Sequence, residues 1–454
     1  MKTILGSRIT KSLVRLGVFL IVAALIAGMA GCTGYTPSQN LEIRTWYDLD
    51  AIRSNLRGQH TLMNNLNYTT PGYEELAGPD GNEGVGWLPI GTEDDAFTGT
   101  LDGQGYEIRD LIMIGSGAPQ VGVFGFVDEG GQIEDIGVVD ANVVGDFVAG
   151  GLAGVCHGTV TNSYSIASVY GHECAGGLVG ICNGTVANSY STGNVSGESG
   201  VGGLVGWNGN WGTVSNSYST GNVTSNSGVG GLVGWNQGAV TNSYAMGTVI
   251  CSGVVAGGLV GINEGTVTNS HSAGSATGDM EVGGLVGVNG WYMDGYSNPG
   301  TVTNCYSTGS VTGEYDVGGL VGGNGYDSIV SHSYATGNVN GHECAGGLVG
   351  TNVGSVGDSY STGNVTGNSS VGGLVGDDGS TGTVSDSFWD TETSGQSTSA
   401  GGTGKNTTEM RDIATFSGAS WNIAAVANPG TRNPAYIWNI VNNVTYPFLS
   451  WQAV

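Results

Sequence analysis

The hydrophobic positions of this chain recur with a long period, well beyond that of a single helix or strand. The block Gly-Gly-Leu-Val-Gly, or Gly-Gly-Leu-Ala-Gly in its first copy, begins at Gly150, Gly176, Gly202, Gly230, Gly257, Gly283, Gly318, Gly346 and Gly372. A degenerate copy, GVFGF, begins at Gly122. Successive blocks are 26 to 28 residues apart, with one interval of 35. A fixed period of this size indicates a repeat architecture in which each unit covers its neighbour.

Within each unit, three short apolar segments alternate with corners of Gly, Asn and Ser, as in GTVANSYSTGNV at 184–195. One segment lies around GGLVG, one around TVxNSYS and one around GNV, and none has helical periodicity. A unit of this length is about one coil of a parallel β-helix, whose stacked coils bury Leu, Val and Tyr in ladders. The pattern predicts an all-β parallel β-helix of about ten or more coils, roughly 50 Å long at the strand spacing of about 4.8 Å.

Glycine makes up 87 of 454 residues, and asparagine recurs at one position of six successive units, with His332, Asp358 and Asp386 at that position afterwards. We expect the glycines at tight corners, where the chain needs a positive φ or cannot accommodate a Cβ atom. The recurrent amides are expected to hydrogen-bond to each other along one column. That column comprises Asn162, Asn188, Asn216, Asn242, Asn269 and Asn304.

The two ends of the repeat differ from its middle. TWYDLDAIRSNL (45–56) predicts a short helical cap with Thr45 as its N-cap, and 97–111 predicts the first rungs. After Asp386 the period stops, and an aromatic-rich segment follows that we interpret as a packed C-terminal cap. The predicted organisation is an N-terminal cap with first rungs over 33–121, the repeat over 122–390 and the C-terminal cap over 391–454.

Residues 1–32 have the pattern of an export signal. Four basic residues precede a nearly continuous apolar run, Leu16 to Ala30, which is short for a membrane span. The run ends in Met29-Ala30-Gly31-Cys32, which resembles a bacterial lipoprotein box and implies lipidation of Cys32. Met29 departs from the usual Leu, so simple cleavage after Ala30 is the alternative. Both interpretations predict an exported protein, either a cell-envelope lipoprotein or an extracellular one.

Charge excludes several classes of partner. The formal net charge is −26, and no Lys or Arg occurs between Arg109 and Lys405. Nucleic acids and polyphosphates need cationic contacts, so neither is an expected partner.

The sequence contains little that indicates catalysis or metal binding. The chain has no His-Glu-x-x-His and no Gly-x-Ser-x-Gly, and no metal site, catalytic residue or cofactor is predicted. The decapeptide GHECAGGLVG, at 171–180 and again at 341–350, is interpreted as unit duplication. Paired acidic residues, Asp279 with Glu281 and Glu314 with Asp316, leave open a glycoside hydrolase that uses coil-surface carboxylates.

Two further sets of residues are candidates for structural or binding roles. Cys156 and Cys182 occupy equivalent positions of adjacent coils, which is compatible with a disulfide and equally with two ladder thiols. An aromatic strip is the candidate ligand-binding surface, able to stack on sugar rings or on an apolar patch of a partner. Its alternative is half-buried packing, and its members are Trp207, Trp211, Trp235, Trp291 and Tyr292.

The consensus GGLVGxNxGTVxNSYSTGNV resembles the GLUG repeat family of bacterial surface proteins, which includes adhesin-like chains and some immunoglobulin-A-cleaving peptidases. The likeness extends over 42–405. It implies a right-handed β-helix at a cell surface, with any chemistry carried by separate domains. The sequence thus favours an adhesin-like or ligand-binding module without catalysis. Its expected partners are a membrane, through the lipid anchor, and a glycan or a surface protein.

Overall fold

The computed structural model describes residues 40–115, 117–293 and 296–452. The predicted export segment, with Cys32, lies outside these residues. The described chain forms a parallel β-solenoid of about ten turns with few helices, as the spacing of the repeats predicts.

Three parallel sheets run along the solenoid, and we name them A, B and C. Sheet A has 13 strands: Asn40–Ile43, Gln59–Leu62, Thr100–Asp102, Gln132–Glu134, Thr159–Thr161, Thr185–Ala187, Thr213–Ser215, Ala239–Thr241, Thr266–Thr268, Thr301–Thr303, Ile329–Ser331, Ser355–Gly357 and Thr383–Ser385. Sheet B has ten: Phe124–Val127, Ala153–Cys156, Val179–Cys182, Val205–Asn208, Val233–Asn236, Val260–Asn263, Val286–Asn289, Val321–Asn324, Val349–Asn352 and Val375–Asp378.

Sheet C takes two or three strands from most coils. Its 27 strands are Glu107–Arg109, Ile112–Ile114, Gln120–Val121, Gly137–Gly145, Val148–Gly150, Tyr164–Gly171, Cys174–Gly176, Tyr190–Ser191, Val195–Gly202, Tyr218–Ser219, Val223–Gly230, Tyr244–Ala245, Val249–Gly257, His271–Ser272, Ala276–Thr277, Met280–Gly283, Tyr306–Ser307, Val311–Thr312, Tyr315–Gly318, Tyr334–Ala335, Val339–Asn340, Glu343–Gly346, Tyr360–Ser361, Val365–Thr366, Ser369–Gly372, Phe388–Asp390 and Thr403–Lys405.

The remaining elements lie outside these three sheets. The helices are Trp46–Asp50, Tyr73–Leu76 and Ile413–Gly418, with 3-10 turns at Ala51–Ser54, Gly81–Gly84 and Glu409–Arg411. An antiparallel hairpin joins Trp291–Met293 to Tyr296–Asn298 within the one long repeat. A small sheet joins Ile423–Ala425, Trp438–Ile440 and Phe448–Leu449.

Each coil passes through sheets B, A and C in turn and then starts the next coil. Equivalent residues of successive coils are register partners, as Val205 is with Val233. The Leu and Val of every GGLVG block point inward and are fully buried, as Leu204 and Val205 are. Burial of this continuous apolar column is the main stabilising contribution, since each coil removes the neighbouring coil's apolar surface from water.

Glycine is required at the paired positions because backbone atoms of the chain approach them too closely for a Cβ atom, and not because the backbone there needs a positive φ. A Cβ on Gly202 would lie 1.9 Å from the Val205 carbonyl oxygen, and one on Gly203 would lie 2.2 Å from the Gly231 oxygen of the next coil. Neither glycine has a positive φ. The steric reason expected for the paired glycines therefore holds.

Positive φ occurs instead in the asparagine column, where Asn162, Asn188, Asn216 and Asn242 have φ of 50 to 52°. Asparagine tolerates this left-handed conformation better than most residues do, which explains its recurrence at the corner between sheets A and C.

In the predicted column, Asn269 Nδ2 donates to Asn242 Oδ1 at 3.3 Å. The continuous ladder of amide hydrogen bonds is in a different column. It lies in sheet B, where each Nδ2 donates to the Oδ1 of the next coil at 2.7 to 2.9 Å. Its members are Asn208, Asn236, Asn263, Asn289, Asn324, Asn352 and Asp378. The first six are buried, and a buried polar group without a hydrogen bond is costly. Each bond of the ladder therefore satisfies a donor of one coil and an acceptor of the next.

Both ends of the solenoid are closed by chain segments. At the N-terminal end, Thr45 caps the helix Trp46–Asp50 through a capping box with Asp48, which confirms the predicted N-cap. At the C-terminal end, Ser399 and its neighbours hydrogen-bond to the last strand of sheet B, as in Val375 N to Ser399 Oγ at 2.8 Å. The domain boundaries given above stay predictions.

Candidate functional site

The tryptophan pair of the predicted strip lies on the outer face of sheet B. Trp207 and Trp235 are register partners, with ring centroids 5.6 Å apart and planes at 22°. Both are half-buried, and Ile181 and Ile262 are the register partners on either side. Each indole face thus meets a neighbouring coil, which leaves mainly ring edges for a ligand.

The structure does not bring the other predicted strip residues into this column. Trp211 lies in the turn between sheets B and A and is 84% exposed. Trp291 and Tyr292 belong to the hairpin strand Trp291–Met293, whose side chains are outside the described atoms. Among the described side chains of the predicted strip, there is one stacked pair and one separate, exposed indole.

Cys156 and Cys182 are register partners at the start of the amide column of sheet B. Both are fully buried free thiols. Burial raises the pKa of the Cys182 thiol to about 12 and that of Cys156 well above its ordinary value. These thiols are therefore protonated and have low reactivity in the folded protein.

A second aromatic column, which the sequence analysis missed, runs along the outer face of sheet C. Neighbouring rings are stacked 4.6 to 5.1 Å apart, with interplanar angles of 3 to 15°. We call it the tyrosine column: Tyr164, Tyr190, Tyr218, Tyr244, His271, Tyr306, Tyr334 and Tyr360.

The sequence analysis placed these tyrosines in the core of the solenoid, and that expectation is wrong. In each NSYS motif the two serines are buried, as Ser189 and Ser191 are, while Tyr190 between them is only partly buried. Because side chains alternate across a strand, two inward serines place the intervening ring outside. The Ser-Tyr-Ser alternation in the sequence could therefore have predicted that the tyrosines lie on the outer face.

The C-terminal segment folds back along this column and covers its last members. Tyr334 and Tyr360 pack against Trp438, with ring centroids 6.0 and 5.8 Å apart. The Gln452 amide donates to the Tyr334 hydroxyl at 2.6 Å, and the Tyr360 hydroxyl donates to the Pro447 carbonyl at 2.5 Å. The aromatic-rich cap therefore lies on the side of the solenoid, over sheet C.

A groove of about 630 Å³ opens where this cover ends. Trp451 marks its edge, with its indole 6.2 Å from the His271 ring and its Nε1 donating to the Asn304 carbonyl at 3.1 Å. Burial lowers the pKa of His271 to about 4, so its imidazole is neutral near pH 7. From Tyr244 at the groove back to Tyr164, no other described segment of the chain covers the column.

A smaller pocket of about 250 Å³ lies on sheet B, at the coil where Gly323 occupies the slot of Trp207 and Trp235. Its walls include Glu281 and Asp316, which come from equivalent corners of adjacent coils. Thr351 donates its hydroxyl to Asp316. Burial, and secondarily the Asp316 charge, raises the pKa of Glu281 to about 7.

Within residues 40–115, 117–293 and 296–452, no three His, Cys, Asp or Glu side chains are grouped so as to hold a metal ion. Helices of these same ranges are all too short or too polar to cross a bilayer.

Comparison with known proteins identifies the repeat. The family model described as "The GLUG motif" matches residues 197–224, 225–250, 278–312 and 313–340. The chain is 35% identical over 139 residues to halomucin from Haloquadratum walsbyi, which covers 30% of this chain and 2% of that protein. The chain therefore spans a very small part of this curated relative. Among solved structures, an IgA1 protease matches with a TM-score of 0.40 and 17% identity, covering 67% of this chain and 22% of that one.

Proposed function

We propose that this protein, which carries GLUG repeats on a parallel β-solenoid, is an exported cell-surface rod with an adhesin-like, ligand-binding role. The observation that carries the proposal is the repetition of the same outward side chains from coil to coil, most clearly in the tyrosine column. A repeated surface suits weak contacts that add up along an extended or crowded partner. The likeness to halomucin supports an extracellular setting.

Anchoring through Cys32 is the first part of this proposal to test. Changing Cys32→Ser removes the thiol that would carry the lipid, so the protein should move from the membrane fraction to the medium. Cell fractionation with intact-mass analysis of the N-terminus measures this. A wild-type protein with an unmodified N-terminus at Gly31 would show simple cleavage after Ala30 and exclude the anchor.

The tryptophan pair provides a direct test of binding. The double change Trp207→Val and Trp235→Val should leave the fold intact, because valine already occupies the slot at Val155 and Val288. Aromatic contacts contribute on the order of 1 kcal/mol each, so the loss of two should weaken adhesion of displaying cells about tenfold or more. Adhesion to glycan-coated and protein-coated surfaces measures it. Unchanged adhesion, with an unchanged circular dichroism spectrum, would mean that the pair is packing.

A second function, glycoside hydrolysis, is favoured by one observation, the pocket at Gly323. Its two carboxyl groups do not repeat along the solenoid, and Glu281 has a pKa of about 7. A protonated carboxylic acid beside an ionisable partner is the arrangement that glycosidases use. Lyases of acidic polysaccharides fit less well, since no Lys or Arg occurs between Arg109 and Lys405.

If the pocket hydrolyses glycosides, Glu281→Gln should lower kcat at least a hundredfold, because the amide cannot donate a proton to the leaving oxygen. Release of reducing ends from neutral polysaccharides at pH 6 measures this. The structure separates Asp279 from Glu281, contrary to their pairing in the sequence, because Asp279 lines a different groove. Asp279→Asn is therefore the matched control. Absence of hydrolysis by the wild-type protein would remove this second function.

A further inference from the structure

We propose that the groove between the C-terminal segment and the tyrosine column binds a neutral polysaccharide chain, which continues from the groove along Tyr244, Tyr218 and Tyr190. This inference rests on the proposed function, because it names a ligand class for the binding rod. It assigns that ligand to sheet C, a different surface from the Trp207 and Trp235 pair on sheet B.

The first argument is periodicity. From Tyr164 to Tyr244 the rings repeat every 4.8 to 4.9 Å with interplanar angles of only 3 to 4°. Two residues before each ring stands an exposed asparagine at the sharp corner, as Asn188, Asn216 and Asn242 do. Each coil thus presents one phenol and one amide at the same height. A ligand that uses such a surface must itself offer similar groups at regular intervals, as a polymer of sugar units does.

The second argument is hydrogen-bonding capacity. In the covered part of the column the hydroxyls of Tyr334 and Tyr360 are paired with Gln452 and Pro447. In the uncovered part, the Tyr164 hydroxyl donates to the Glu107 carboxylate at 2.5 Å, whereas the hydroxyls of Tyr190, Tyr218 and Tyr244 have no partner among the described residues. A phenol both donates and accepts, which matches the hydroxyl groups of a sugar.

The third argument is charge. Asn242, Tyr244 and His271 line the column side of the groove, and burial keeps the imidazole neutral near pH 7. The one formal charge of the lining is Arg432, whose guanidinium lies 4.4 Å from the Phe448 ring centroid and donates to the Gln452 carbonyl at 3.0 Å. Because the chain has a net charge of −26 and the groove lining carries only this one formal charge, an uncharged ligand is favoured over an anionic one.

The size of the uncovered strip argues against a protein partner. Four coils at the strand spacing give a strip about 15 Å long and one ring wide. A stable protein interface buries roughly 800 Å² on each side, which such a strip does not supply. A groove of about 630 Å³ lies within the range of small-ligand sites and can hold the end of an oligosaccharide.

The contacts would differ from ordinary stacking on a ring face. Within the column, each ring face is already covered by the next ring. Sugars along the strip would therefore meet phenol hydroxyls and ring edges, and the tilted Trp451 indole at the groove would supply the aromatic contact for one sugar.

The test uses the purified full chain and a panel of neutral hexasaccharides of glucose, mannose, xylose and N-acetylglucosamine. Polygalacturonate is the anionic probe, and a peptide of residues 436–452 is the protein probe. The wild-type protein should bind at least one neutral hexasaccharide and neither of the other two. The triple variant Tyr190→Phe, Tyr218→Phe and Tyr244→Phe keeps the rings and should bind at least tenfold more weakly. Phenylalanine fits this slot, since Phe388 is the register partner of Tyr360.

Two further measurements keep the result decisive. Tyr315→Phe, which changes an exposed tyrosine outside the tyrosine column and outside the groove, should bind the hexasaccharide as the wild type does. Tyr244→Ala, at the mouth of the groove, should lose binding even if the triple variant folds poorly. The inference is overturned if the triple variant binds undiminished, or if only the peptide or polygalacturonate binds. If cells that display the protein still adhere in that case, the proposed function stands. If cells that display the wild-type protein do not adhere, the proposed function itself is wrong.

Discussion

Leu204→Asp should destabilise the solenoid by about 5 kcal/mol or more, the largest effect that we expect from one substitution. Leu204 is fully buried in the leucine column, between the coils of Leu178 and Leu232. The change removes apolar surface from the core and introduces a carboxylate that has no partner there. Because each coil depends on its neighbours, we expect several adjacent coils to unfold together. Urea denaturation followed by far-UV circular dichroism measures the loss.

The matched control for this variant is Thr220→Asp, which adds the same charge at an exposed position of the same coil. That variant should unfold within about 0.5 kcal/mol of the wild type, as substitutions at exposed positions usually do. Similar urea midpoints for the two variants would contradict the buried leucine column.

Asn263→Asp should cost about 3 to 5 kcal/mol at pH 7, because it places an ionised carboxylate in the middle of the buried amide ladder. Asn263 is fully buried, accepts from Asn236 Nδ2 at 2.7 Å and donates to Asn289 Oδ1 at 2.7 Å. A carboxylate can still accept, but it faces the Asn289 oxygen without a hydrogen to offer. The free energy of unfolding, measured with urea between pH 4 and 8, reports the cost.

The same variant has a defined dependence on pH. Burial should raise the pKa of the new carboxyl in the folded state above its unfolded value of about 3.9. Between these two values the folded state binds more protons than the unfolded state, so stability falls as the pH rises. The protonated acid can donate to Asn289, so the difference from the wild type should shrink towards pH 4.

Asp378→Asn, at the end of the ladder, is the control for Asn263→Asp. Asp378 is only partly buried and accepts from Asn352 Nδ2 at 2.8 Å, a bond that an amide oxygen can also accept. We expect a change below about 1 kcal/mol. A cost equal to that of Asn263→Asp would argue against a special role for the ladder interior.

The fold could be predicted from the sequence because the spacing of the GGLVG blocks measures the coil directly. Every coil repeats the same inward Leu and Val, so a shift of register would expose the whole column to water. The N-cap at Thr45 was also predictable, since capping depends on neighbouring residues alone.

The roles of Asn and Tyr were harder to assign, because two columns of each unit contain asparagine. The motif letters do not distinguish Asn216, which adopts the left-handed conformation, from Asn208, which hydrogen-bonds to the next coil. The position of the C-terminal segment over Tyr334 and Tyr360 depends on contacts between residues about 90 to 120 apart, which no local pattern records.

The amide ladder also bears on how the number of coils can change. Each interior asparagine brings one donor to the next coil and one acceptor to the previous one, so duplication or deletion of a whole unit creates no new unpaired group. At one end Asp378 accepts without carrying an amide N–H of its own, and at the other Asn208 Oδ1 is left without a partner beside Cys182. Whole units can therefore be added or removed inside the ladder with every amide still paired, whereas the coils of Asn208 and Asp378, at the ends of the ladder, are not interchangeable with the rest.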